Sequence, residues 1–230
     1  FKLERGRRVE KEFVLDDLFV GYNKNDQCMF SIDYGGKNDS TIVTIAKVFL
    51  DCPIEIGDTY RYNTHILDFL ELLGDNHEEQ FPQILAKLNE YNIIAGINDA
   101  TGLGDVVHQR LAAVLRRRGI MVHPFNFSAR SKHDGFALLK QELSSGRLTI
   151  PGGPSAVPTK KHKYMTRQML ELVRDYNEKT KLNSYKAPDV KDAHDDFPCS
   201  IMMLTHLVNT LTLPTLEFTE GDEAEIVVKN

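Results

Sequence analysis

The 230 residues, 41% hydrophobic and 27% charged, suit one large domain with its own core, or one with an appendage, and they exclude a repeat protein and a helical membrane span, which needs roughly 20 apolar residues in a row. A formal charge of −5 with pI near 5.9 argues against a surface that binds nucleic acid all over, while leaving room for a local basic track at 116–118, 132–133 or 160–163. The opening Phe-Lys-Leu-Glu-Arg-Gly-Arg-Arg has no signal-peptide core, which points to the cytosol, and Cys28, Cys52 and Cys199, odd in number and set in apolar surroundings, read as reduced core thiols.

Residue 1 is Phe, so the chain is expected to be a piece of a longer polypeptide, with 1–24 as a linker, 25–212 as the domain and 213–230 as a tail. Residues 28–34 and 41–50 are rich in β-branched side chains around a Gly-Gly-Lys-Asn-Asp-Ser turn, a hairpin signature. A third strand is expected within 60–72, although Ile66-Leu-Asp-Phe-Leu-Glu-Leu-Leu also fits a helix by pattern. Phe81, Ile84, Leu85 and Leu88 mark a helix over 77–91, capped from Gly74-Asp75-Asn76. Ile93 to Ile97 reads as a strand buried on both faces. A helix over 104–118 follows, with Val106, Val107, Leu111, Val114 and Leu115 on one stripe and three arginines at its negative end. A strand from Gly119, a helix over 132–144, an extended piece at 147–150, a helix over 159–175, a polar hairpin near 180–192 and a last helix over 194–209 complete the chain. A hairpin followed by strands alternating with helices gives a mixed α/β sheet.

Three acidic frames stand out. Asp33 ends Phe-Ser-Ile-Asp, Asp99 ends Ile-Ile-Ala-Gly-Ile-Asn-Asp, and Asp195-Asp196 opens the final apolar helix. Asp33 and Asp99 each follow an apolar strand, and the C-terminal ends of such strands are where open α/β sheets bind ligands. If the last helix packs with Ile201, Leu204 and Leu207 inward, its first turn adds a third carboxylate to the same point. Such a group repels itself unless cations compensate. Hard oxygen ligands suit Mg²⁺ or Mn²⁺, and two such ions would support phosphodiester hydrolysis by direct attack of water. One member of the Asp195-Asp196 pair is expected to cap the helix while the other binds metal, with Asp195 preferred as ligand. Asp39 is open to being a turn residue or a supporting ligand, Asp105 to being first-turn charge compensation, and His194 and Lys132 to being solvated surface groups or supporting ones.

In this order the frames resemble the nuclease domain of large terminase subunits, the DNA-packaging motors of tailed phages and related viruses. Phe30-Ser-Ile-Asp33-Tyr-Gly-Gly with Asp39-Ser looks like the first acidic motif, Ile97-Asn-Asp99-Ala-Thr-Gly-Leu-Gly-Asp105 like the second, and His194-Asp195-Asp196 before an apolar helix like the third. The resemblance covers about 25–212. It implies a ribonuclease-H-like fold and a Mg²⁺- or Mn²⁺-dependent endonuclease with two ions, cutting concatemeric viral double-stranded DNA during packaging in the host cytoplasm. It implies Asp33, Asp99 and Asp195 as catalytic metal ligands, Asp196 as a further ligand, and Asp39, Asp105, His194 and Lys132 in support. Lys181, Lys186 and Lys191 would contact DNA from an auxiliary hairpin. The implied partners are an ATPase domain of the same polypeptide, a portal and a small terminase. Gly35-Gly36-Lys37-Asn38 lacks the glycine spacing and the Ser/Thr of a P-loop. Competing readings are a Holliday-junction resolvase or transposase on the same fold, an actin-like or sugar-kinase-type ATPase using Asp33-Tyr-Gly35, and a non-catalytic DNA-docking module.

Overall fold

The computed structural model describes residues 2–4, 7–9, 23–36, 39–56, 59–102, 104–150, 160–191 and 193–210. Within the stretch expected as a linker, β1 (Lys2–Glu4) and β2 (Arg7–Val9) pair antiparallel; the rest of that stretch up to residue 22 and the expected tail lie outside the described residues. The central strands are β3 (Cys28–Asp33), β4 (Ser40–Val48), β7 (Thr64–Leu73), β8 (Ile93–Asp99), β9 (Met121–Phe125) and β10 (Leu148–Thr149). They form one mixed sheet in the order β10-β7-β4-β3-β8-β9. β3, β8 and β9 run parallel, and β4 lies antiparallel between β3 and β7. A short hairpin, β5 (Ile54–Ile56) and β6 (Thr59–Arg61), stands between β4 and β7.

Among the described residues five helices cover the sheet: α1 (His77–Leu88), α2 (Gly104–Arg116), α3 (Ala129–Ser144), α4 (Lys160–Glu171) and α5 (Asp196–Thr210). Strand alternation sends successive β3 side chains to opposite faces. Phe30 and Ile32 pack with Phe81 and Ile84 of α1 and Leu111 and Leu115 of α2. Met29 packs on the other face, with Phe136 of α3, Met165 of α4 and Ile201 and Leu204 of α5. α5 is the keystone, with eleven of its fifteen residues buried. The fold class read from the sequence, a ribonuclease-H-like mixed sheet flanked by helices, is the one observed.

The ambiguous stretch at 66–73 is strand. A register shift opposite Ile45 and Ala46 puts Ile66 and Phe69 in one core cluster although they are three apart, with Leu67 and Leu70 in the other. A bulge thus mimics helical spacing.

Several expectations need correction. The helix expected from 132 begins at Ala129, because Ser128 caps it in a reciprocal pair with Ser131. The helix expected over 159–175 ends at Glu171, and the hairpin expected near 180–192 is β11 (Val173–Asn177) with β12 (Leu182–Lys186), turning through Lys181 at φ 59°. The last helix starts at Asp196 rather than 194, since the Asp195 carbonyl accepts its first bond, from Cys199 N at 2.9 Å. Val106 is 68% exposed, so the buried stripe of α2 rests on Leu111 and Leu115. Cys28 and Cys199 are buried, but Cys52 is exposed, having landed in the turn after β4 rather than in the core.

Candidate metal centre

β3 and β8 run in parallel with Ile32 opposite Asn98, so Asp33 and Asp99 fall on the next rung, at neighbouring strand ends about 4.8 Å apart. By alternation both face α5. The N-terminus of that helix crosses the same edge and delivers Asp195 and Asp196. All four carboxylates are partly buried. Burial first, then the charges of Asp99, Asp196 and Asp195, push the Asp33 carboxyl well above the ordinary carboxylate range, with Lys132 opposing. Asp99 is raised by burial, against the amide of Thr101, which donates to its Oδ1 at 2.8 Å. Asp196 is pushed up to about 6, by burial first and then by Asp39 and Asp195, against a bond from the Ser40 amide. Folding therefore assembles an excess of negative charge that, among the described residues, Lys132 and His194 offset only in part.

The two aspartates of the α5 start have different company. Asp195 Oδ2 accepts from Lys132 Nζ at 2.8 Å and from the Cys199 thiol at 3.7 Å. Asp196 Oδ2 accepts from Ser40 N at 3.2 Å and lies 3.8 Å from His194 Nδ1, which is 3.2 Å from Asp39 Oδ1. Asp39, His194 and Asp196 offer ligand atoms all within 4.8 Å of one another. Lys132 and His194 are partly buried, their side chains 27% and 22% exposed, and both are paired with acids of this group. Asp105 stands apart, exposed, with Gln109 Nε2 donating to its Oδ2 at 2.9 Å.

The basic runs behave differently from one another. Residues 116–118 are exposed at the C-terminal end of α2, about 20 Å along that helix from Asp99. Lys132 and His133 are occupied internally, the first on Asp195 and the second accepting from Asn183 N of β12 at 2.9 Å. Phe136 stacks on Tyr185 at 4.7 Å, so α3 ties the hairpin to the acidic edge. Lys181, Lys186 and Lys191 are exposed on or just beyond that hairpin. Side chains of 160–162 and residues 37–38 lie outside the described residues.

Sequence reasoning passed over the groups that hold Asp99. Asn98, fully buried, donates through Nδ2 to the Asp99 carbonyl at 2.9 Å. Its Oδ1 must then accept, so His108 Nδ1, 2.7 Å away, carries the proton. Gly104 closes on the same carbonyl: a Cβ there would lie 2.6 Å from Asp99 O. Glycine at this point of the Thr-Gly-Leu-Gly loop was the one visible signal. Gly104→Ala should shift the start of α2 away from β8, lowering stability by about 1–3 kcal/mol and weakening any cation bound through Asp99; thermal melting and Mn²⁺ calorimetry check it, and wild-type values in both would show that the close approach is dispensable.

No protein-family model matches the sequence, and no curated protein matches it by sequence search. Solved structures do match. The nuclease domain of the large terminase subunit gp2 of bacterial virus Sf6 aligns at TM-score 0.58 and 12% identity, over 84% of this chain and 93% of that one. A lysine-to-alanine mutant of that domain with calcium aligns at 0.58, and the same mutant with manganese at 0.55, each at 12% identity over the same shares. At this identity the likeness is one of fold: the chain has the fold of a phage large-terminase nuclease domain.

Proposed function

We propose that this chain is a divalent-metal-dependent DNA endonuclease that cleaves concatemeric viral double-stranded DNA during genome packaging. The observation that carries the reading is the gathering of acids at one sheet edge, where Asp39, His194 and Asp196 offer ligand atoms within 4.8 Å of one another and the Asp33 carboxyl is raised by burial first and then by the charges of Asp99, Asp196 and Asp195. The donor set fits the cation: carboxylate oxygens with one imidazole, no thiolate pair, and an excess of negative charge. The fold shared with domains solved with manganese and calcium supports the same reading.

Asp33 and Asp99 would hold the ions together with Asp196, Asp195 or both, with Asp39 and His194 as neighbours. Two divalent ions there would supply an activated water and charge stabilisation for the leaving oxygen. The chain's own part is to fix the carboxylates before substrate arrives. Gly104 and the Asn98–His108 pair set the Asp99 backbone, the Ser40 amide orients Asp196, and Lys132 aims Asp195. The hydrolysis we propose is a direct in-line displacement by water, with no covalent enzyme intermediate. Lys181, Lys186 and Lys191 would meet the phosphate backbone, which gives affinity without sequence preference. The reaction would belong to the host cytoplasm, coupled to an ATPase domain of the same polypeptide.

The test is nicking of supercoiled plasmid with Mg²⁺ or Mn²⁺. Cleavage that disappears in Asp33→Ala and Asp99→Ala supports the reading; a folded, Mn²⁺-binding domain that leaves the plasmid intact contradicts it.

A further inference from the structure

Beneath the carboxylates lies a second, wholly buried polar group that the chemistry does not use. Ser31 of β3, Thr44 of β4 and Ser200 of α5 are each 0% exposed. Ser31 Oγ donates to the Ser200 carbonyl at 2.6 Å and lies 3.0 Å from Ser200 Oγ, and Thr44 Oγ1 lies 2.8 Å from that same oxygen. Ser200 Oγ also reaches the Ile42 carbonyl at 3.3 Å. One arrangement satisfies all three protons: Ser31 to the Ser200 carbonyl, Thr44 to Ser200 Oγ, and Ser200 onward to Ser31 Oγ or the Ile42 carbonyl.

The position of this trio explains its use. Ser31 precedes Asp33 by two residues on the same face of β3, about 6.6 Å lower. Thr44 is the register partner of Ser31, as Ile42 is of Asp33. Ser200 follows Asp196 by four residues, about 6 Å along the helix. The two rises are similar, so clamping Ser200 to Ser31 brings the start of α5, with Asp196, to the strand ends that carry Asp33 and Ser40, where the Ser40 amide donates to Asp196 Oδ2 at 3.2 Å. Among the described residues the other hydrogen bond from this sheet to α5 is the Ser40 amide to Asp196 Oδ2, at the very end of the helix. Its buried partners there are Phe197, Ile201, Met202, Met203, Leu204 and Leu207, and apolar, methionine-rich surfaces repack easily. The four acids above push the helix end away from the strands, so a slide would relieve repulsion. Buried polar contacts that fix register are the best-attested use of such groups.

We propose that Ser31, Thr44 and Ser200 are positioning residues: a hydroxyl rung that sets the register of α5 against β3 and β4 and so holds Asp196 at the strand ends that carry Asp33 and Ser40. The inference deepens the metal-nuclease reading and rests on it for its functional consequence.

Two variants separate position from packing. Thr44→Val keeps the shape and removes the hydroxyl; Thr44→Ser keeps the hydroxyl and removes a methyl. Mn²⁺ binding is measured by calorimetry, melting temperature alongside it, and amide hydrogen exchange at Ser40, whose N–H donates to Asp196 Oδ2 at 3.2 Å. Thr44→Val should weaken Mn²⁺ binding about tenfold, in the range of outer-sphere partners, and lose protection at Ser40. Thr44→Ser should bind as the wild type even where its melting temperature falls as far. Equal binding and equal Ser40 protection in Thr44→Val, or equal weakening in both variants, would overturn the rung. Should the wild type take up no Mn²⁺, the functional proposal fails, and Ser40 protection alone decides the rung: retained in Thr44→Val it overturns it, lost it supports it.

Discussion

Replacing Asp33 by asparagine should move activity and stability in opposite directions. Metal-dependent cleavage should fall by more than about a hundredfold, beyond the range seen for outer-sphere groups, because the carboxylate at the centre of the cluster is gone. The metal-free variant should nonetheless melt a few degrees above the wild type at neutral pH. In the wild type, Asp33 is raised by burial and by Asp99, Asp196 and Asp195, so at pH 7 the folded protein holds it, whether charged or protonated, at a cost that an uncharged amide of the same shape does not carry. Excess Mn²⁺ should reverse the order, stabilising the wild type alone by mass action. Calorimetric melting with and without Mn²⁺, beside plasmid nicking, reads both arms. A variant less stable than the wild type without metal would mean that Asp33 already has a compensating partner and that the negative charge at this edge is not in excess.

The second large effect concerns pH. A carboxyl with a raised folded-state value holds its proton more tightly in the native protein than in the unfolded chain. Its stabilising contribution is therefore complete below the unfolded value, about 3.9, and is lost as pH rises through the folded one, about 6 for Asp196. The groups facing it are Asp39, Asp195 and His194, with the Ser40 amide opposing the shift. A plain pH scan of the wild type mixes this with an opposite trend, since burial lowers His65, His108 and His206, whose neutral forms favour folding as pH rises towards 6.5. The difference between wild type and Asp196→Asn isolates the carboxyl. Without metal, the stability advantage of Asp196→Asn should grow from pH 4 to about 6.5 and then level off, reaching at most about 3 kcal/mol for a shift of two units. Saturating Mn²⁺ should reverse the advantage. An advantage that is flat with pH, or that grows as pH falls, would contradict the assignment.

Much of this was legible beforehand, for identifiable reasons. β3 is a short apolar run and β4 and β8 are rich in β-branched residues, and a strand-end aspartate is visible where an apolar run stops at Asp33 or Asp99. The inward positions of α5 follow from its near-continuous apolar composition. What stayed hidden depends on pairing between distant segments. That Lys132 meets Asp195 across 63 residues, or that Ser31, Thr44 and Ser200 share one buried point, leaves no local periodicity, because a lysine on a helix and a serine in a strand look the same whether or not a partner arrives. The bulge in β7 misled in the other way, by producing a three-residue spacing inside a strand. Unlike roles for Asp195 and Asp196 were expected, but their partners, Lys132 for the first and the Ser40 amide for the second, were equally invisible, since neighbours in sequence at a helix start point in different directions.

The account turns on whether cations bind where these carboxylates meet, and a crystal of this chain grown or soaked with Mn²⁺ tests that directly. Anomalous difference peaks in contact with Asp33, flanked by Asp99 and by Asp196 or Asp195, are the expected result. Well-ordered carboxylates with no anomalous density among them, at Mn²⁺ concentrations that support nicking, would contradict it.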